Sequence, residues 1–89
     1  MVTFVSTKNF EKKYEVLSAE DRSRIEEKLR YLKSHPSIFA VIKKIENLDP
    51  ATHRVRIGNY RILLRLEQEN DDAMTFILLK IGHRREIYN

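Results

Sequence analysis

The spacing of apolar positions changes period along the chain, and each change predicts an element. Val2 to Val5 is a short apolar run rich in β-branched residues and reads as an initial strand. Phe10, Tyr14 and Leu17 then recur at helical spacing, with Lys8, Glu11, Lys12 and Lys13 on the other face. This predicts a short amphipathic helix that Ser6 or Thr7 can cap. Ser18 followed by Asp21 resembles a capping box with Asp in the Glu position, and Ile25, Leu29 and Leu32 mark one face of a longer helix. That helix ends at His35-Pro36, because proline excludes the residue before it from helical geometry.

Residues 36 to 50 have no clear period, and Ile38, Val41, Ile45 and Leu48 are expected to close an irregular connection over the core. From Thr52 the period becomes two. Gly58-Asn59 between two β-rich runs predicts a tight hairpin with a type II′ turn. A third strand is expected from about Met74 to Ile81, after the acidic turn EQENDD. The fold class is therefore α+β, a small antiparallel sheet packed on two N-terminal helices, in one domain over residues 1–89.

With 42% hydrophobic and 34% charged residues and only 2 Gly and 2 Pro, the composition is that of a folded domain rather than a disordered chain. The 0 Cys exclude disulfides, thiolate metal sites and cysteine nucleophiles, which fits a reducing compartment. No apolar run approaches the roughly 20 residues that span a bilayer, and MVTFVSTKNF lacks the basic start and long apolar stretch of a signal peptide. A cytoplasmic protein with no membrane partner is the expectation. The net charge of +4 matters less than its placement: residues 52 to 66 hold four Arg and no acid. Such a patch suits phosphate or an acidic partner, although it can also serve as plain solubilising surface.

A two-residue loop fixes the hairpin register, so Ile57 faces Tyr60, Arg56 faces Arg61, Val55 faces Ile62 and Arg54 faces Leu63. Alternation then puts Val55, Ile57, Tyr60, Ile62 and Leu64 on a core face, and Arg54, Arg56, Arg61, Leu63 and Arg65 on a cationic one. Arg56 opposite Arg61 is a like-charge pair, destabilising by up to about 1 kcal/mol unless an anion lies between them. Arginine presents a planar fork to phosphate oxygens and stays charged, so it binds and stabilises anions but cannot act as a base. Arg84 and Tyr88, after the third strand, are placed to reach the edge of this face, the tyrosine as a platform for an RNA base. His83 and Glu86 are the nearby titratable groups, His53 shares the core phase and reads as a packed histidine, and Arg65 can pair with the acidic turn. The sequence has no metal-ligand constellation and no phosphate-cradling glycine loop, so neither metal nor cofactor is expected.

The run HRVRIGNYRILLRL, followed after an acidic turn by a strand and IGHRREIY, resembles RelE-type toxins of bacterial and archaeal toxin-antitoxin modules, in the RelE/ParE superfamily. The resemblance implies a microbial ribonuclease-like fold and metal-independent cleavage of messenger RNA in the ribosomal A site. In that reaction the 2′-hydroxyl attacks the adjacent phosphate and leaves a 2′,3′-cyclic phosphate. Carried over position by position, it assigns Arg56, Arg61 and Arg84 to stabilising the phosphorane-like transition state and Tyr88 to orienting a base. Arg54 and Arg56 fill its two basic positions on the first hairpin strand, and Arg54, Arg56, Arg65 and Arg85 are the residues expected to contact the RNA. Relatives often carry lysine on the first hairpin strand, where this chain has arginine, so the general base falls to His83 first and Glu86 second. The partners implied are a RelB-like antitoxin, the ribosome and messenger RNA, with no contact to DNA except through the antitoxin complex. With the chain ending at Asn89, the C-terminal helix of some members is expected to be absent. Two alternatives share the fold: a ParE-type toxin acting on DNA gyrase, and a degenerate toxin that only binds antitoxin or RNA.

Overall fold

Side-chain caps open both helices at the positions the sequence marks. In the computed structural model, which describes residues 1–87, Thr7 Oγ1 accepts from the Phe10 amide at 3.2 Å and starts α1 (Lys8–Glu15). Ser18 Oγ accepts from the Asp21 amide at 3.1 Å and starts α2 (Ala19–Lys33). Ser18→Ala should therefore lower stability by about 1 kcal/mol, read from the midpoint of urea unfolding; no shift would mean that the cap is replaced by water without loss. The Arg22 guanidinium donates to the Glu15 and Leu17 carbonyls at 3.0 and 2.8 Å, satisfying carbonyls at the α1–α2 junction.

The strands are β1 (Val2–Ser6), β2 (Lys43–Lys44), β3 (His53–Ile57), β4 (Tyr60–Glu69) and β5 (Met74–His83), and they form one sheet in the order β1-β5-β4-β3-β2. The α+β class holds, with one refinement. β1 pairs parallel to β5, whereas the other three pairings are antiparallel, so the sheet is mixed. A parallel pair needs a crossover connection, and α1 and α2 begin the long path that supplies it. Thr7 joins the two ends of this path, since both its amide and its hydroxyl donate to the Leu78 carbonyl, at 3.2 and 2.9 Å.

The helices cover one sheet face. Phe10, Ile25 and Leu32 pack there on Val55, Ile57, Ile62, Leu64, Phe76, Leu78 and Ile81. Leu78 and Ile81 are three residues apart, which ordinary alternation would put on opposite faces. A bulge resolves this: Leu63 pairs with Lys80 but Leu64 with Leu78, which leaves Leu79 as the extra residue.

Residues 36 to 50 do not form a single lid over the core as the sequence reading had it. A 3₁₀ turn at Ile38–Ala40 sends Ile38 and Ile42 into the main core, and Val41 packs at its margin. Ile45 and Leu48 instead lie against a smaller cluster of Ala51, Leu63 and Ile87. Asn47 helps redirect the chain between them by taking φ of 62°, a left-handed value that asparagine tolerates.

Candidate nucleic-acid interface

The hairpin turn aims the cationic side chains. Gly58 has φ of 60°, and Asn47 is the sole positive-φ non-glycine among the described residues, so only the first central turn position is left-handed. That is the type II′ pattern, whose twist matches the flanking strands. The resulting register pairs Ile57 with Tyr60, Arg56 with Arg61, Val55 with Ile62 and Arg54 with Leu63, as the spacing predicts.

Paired residues share a face, so the register builds cationic rows across the sheet. One row runs Lys43, Arg54, Leu63, Lys80 and the next runs Arg56, Arg61, Gly82. Lys43 and Lys80 were not singled out in the sequence. Lys43 lies where no period is readable, while the odd spacing of Leu78 and Ile81 is the one sequence signal that implies the bulge and turns Lys80 outward.

Arg61 does not simply oppose Arg56. Its Nη1 donates to the Gly58 and Tyr60 carbonyls at 3.0 and 2.9 Å, so the guanidinium bends back over its own turn, while Arg56 stands exposed. Carbonyl dipoles thereby offset part of the repulsion. Arg65 pairs with Glu67 at 2.6 Å, in line with the acidic-turn pairing expected for it, and its Nε is buried with no hydrogen-bond partner. Arg84 and Arg85 lie exposed in the turn after β5, where the Arg84 amide donates to the Asn59 carbonyl at 2.8 Å and ties that turn to the hairpin. Ile87 then folds back onto Gly82, where an added Cβ would lie 3.4 Å from its Cδ1. Tyr88 lies outside the described residues.

His83 is placed apart from the arginine rows. It pairs with Tyr60, whose hydroxyl donates to Asp21 of α2 at 3.0 Å, so both rings lie on the helix side of the sheet and meet edge to face at 6.3 Å. His83 Nδ1 accepts from the Arg85 amide at 3.3 Å. His83 and Glu86 together line a hollow with Lys13, Val16 and Leu17. Histidine and arginines therefore share an end of the sheet but not a face.

His53 is 7% exposed, packed between the rings of Phe39 and Phe76 at 5.5 and 5.7 Å. Its Nδ1 lies 2.7 Å from Thr52 Oγ1, which also accepts from the Leu66 amide at 2.8 Å. Burial, and secondarily Lys44, hold its pKa below the ordinary 6.5, partly opposed by Glu69. Between the depressed folded value and 6.5 the unfolded chain binds the extra proton. Stability present above 6.5 is thus lost as pH falls through this window. The melting temperature should drop on acidification from neutrality, and His53→Gln should flatten that slope; equal slopes would assign the acid sensitivity elsewhere.

Among the described residues no group of His, Asp and Glu is arranged to hold a metal ion, and no helix is long and apolar enough to cross a membrane.

Two helices on this mixed sheet define a fold shared with toxins solved beside their antitoxins. The chain is similar to the toxin in the RelB-RelE antitoxin-toxin complex from Methanococcus jannaschii, with 28% identity, coverage of 94% of this chain and 94% of that chain, and a TM-score of 0.65. The fold also matches the RelBE2 toxin-antitoxin complex from Mycobacterium tuberculosis, at 22% identity over 92% of this chain and 96% of that chain with a TM-score of 0.70. A third match is the RelE-RelB complex from Pyrococcus horikoshii, at 20% identity over 96% and 97% with a TM-score of 0.69. No curated protein matches the chain in sequence. Residues 7–88 match the sequence model of the ParE toxin of the type II toxin-antitoxin system parDE, and the chain belongs to this family, within the RelE/ParE superfamily of toxins.

Proposed function

We propose that this toxin is a ribosome-dependent endoribonuclease that cleaves messenger RNA and is neutralised by a RelB-like antitoxin. The observation that supports the reading is the pair of cationic rows, with Arg56 opposite Arg61. A phosphate seated over this pair relieves the like-charge repulsion and receives hydrogen bonds from guanidinium forks. When the 2′-hydroxyl attacks, the phosphorane gains negative charge, and Arg56, Arg61 and Arg84 stabilise that added charge more than the starting diester. Arg54, Arg65 and Arg85 hold flanking phosphates, and Tyr88 orients a base.

None of the three histidines lies in the arginine rows. His83 therefore acts as base only if the RNA wraps the end of β5; otherwise the chain supplies charge stabilisation and the 2′-proton leaves to solvent or to the ribosome. His83→Gln separates these routes, since loss of the alkaline-rising limb of the cleavage profile assigns the base to His83.

The family match favours a second reading, inhibition of DNA gyrase. Expressing the protein alone and mapping the 5′ ends of message fragments, alongside plasmid supercoiling, decides between them. Cut messages with normally supercoiled plasmid support the ribonuclease, whereas relaxed plasmid with intact messages supports the gyrase reading. Binding to ribosomes should weaken steeply from low to moderate salt as phosphate contacts release counterions; salt-independent binding would contradict a phosphate-dominated interface.

A further inference from the structure

Leu63 is an apolar side chain ringed by cations. The register sets Arg54 and Lys80 on either side of it, and Arg61 and Arg65 precede and follow it by two residues on the same face. It is nonetheless only 6% exposed, because Ala51 and Ile87 cover it. Next to this cluster the surface opens into a hollow of about 400 Å³ walled by Leu48, Pro50, Ala51, Leu63 and Leu79, with Lys80 at the rim. Polar groups around it are already engaged: Asn9 Nδ2 donates to the Leu79 carbonyl and Thr7 Oγ1 to that of Leu78.

We propose that this hollow anchors an aliphatic side chain of an acidic segment of the antitoxin, whose carboxylates lie along Arg54, Lys80 and Arg56. The inference rests on the toxin-antitoxin reading and specifies where and how the partner is held. Charge complementarity selects an acidic ligand, and the hollow selects its anchor. A nucleobase is a poorer occupant, because among the described residues no aromatic ring lines the walls to stack on it and few polar groups remain to read its edge. An aliphatic side chain needs neither. A desolvated apolar anchor beside a charged rim is also the usual division between residues that set affinity and those that set encounter rate.

The test uses the full chain with the small protein encoded beside it as the probe, purified separately, and a ten-nucleotide RNA as the competing ligand. Leu48→Lys removes the apolar wall while adding positive charge, so it leaves the attraction to acids in place. It should weaken binding of the protein probe by about tenfold or more, with the salt dependence not reduced and RNA binding not weakened. Lys80→Gln should instead reduce the salt dependence with a smaller loss of affinity. Leu79→Thr, compatible with a strand, serves as the second apolar variant should Leu48→Lys fail to fold. Parent-like affinity in a folded variant of either kind overturns the anchor while leaving the toxin reading intact. Weakened RNA binding in the same variants would assign the hollow to nucleic acid and also overturn it. A parent protein that fails to bind its neighbour at all would overturn both the anchor and the partner reading.

Discussion

Arg61→Ala and Arg84→Ala are expected to slow message cleavage by about 100-fold or more while changing ribosome affinity far less, the pattern left when a donor to transition-state charge is removed. The expectation follows from where charge grows. A phosphodiester carries one negative charge before attack and more in the phosphorane, so a fixed cation beside it gains interaction energy along the reaction. Arg61 is suited to this because the Gly58 and Tyr60 carbonyls hold its guanidinium at the turn. Little reorientation is then needed during reaction. The same bonds separate activity from stability. Arg56→Ala should stabilise the free protein by a few tenths of a kcal/mol through relief of the like-charge pair, because Arg56 is exposed. Arg61→Ala gains that relief but loses two turn bonds, so its net effect on stability should be near zero. Single-turnover cleavage and urea unfolding measure the two quantities. Full cleavage activity in both alanine variants would remove the arginines from the chemistry, and marked unfolding would make them structural.

Phe76→Ala should destabilise the protein by about 3–5 kcal/mol, a large share of the roughly 5–15 kcal/mol typical of a whole domain. Phe76 is fully buried on the interior strand β5 and stacks on Phe4 at 5.9 Å. Phe39 and His53 meet its ring at 6.4 and 5.7 Å. Truncation removes contacts to β1, β3 and the 3₁₀ turn together, and neighbours fixed by sheet hydrogen bonds cannot collapse fully into the space. The urea midpoint measures the loss. A change below about 1 kcal/mol would mean that this part of the core repacks freely.

The parts of this fold legible from sequence are those set by local chemistry. A two-residue loop leaves the hairpin a single good register, so Arg56 could be set opposite Arg61 directly, and Thr7 and Ser18 announce the helix starts through hydrogen bonds within one turn. Residues 36 to 50 were not legible, since Ile42, Ile45 and Leu48 belong to opposite sides of the sheet and no repeating backbone bond imposes a period on them. The bulge at Leu79 leaves no mark in residue propensities, yet it decides that Lys80 joins the arginine rows and that Ile81 and His83 face the helices. The arginine rows were thus readable from parity alone, while the side of the sheet taken by the base candidate was not.

The parallel pairing of β1 with β5 also governs when this toxin comes into being. Thr7 bonds to a carbonyl 71 residues further along the chain, and β5 lies between β1 and β4 in the sheet. A nascent chain lacking β5 holds β1 and the β3–β4 hairpin with nothing between them, so any product truncated before Met74 cannot assemble the sheet on which the arginine rows depend. Closing such long-range contacts comes late in folding. The arginine rows of this toxin are thereby assembled only after β5 has been made.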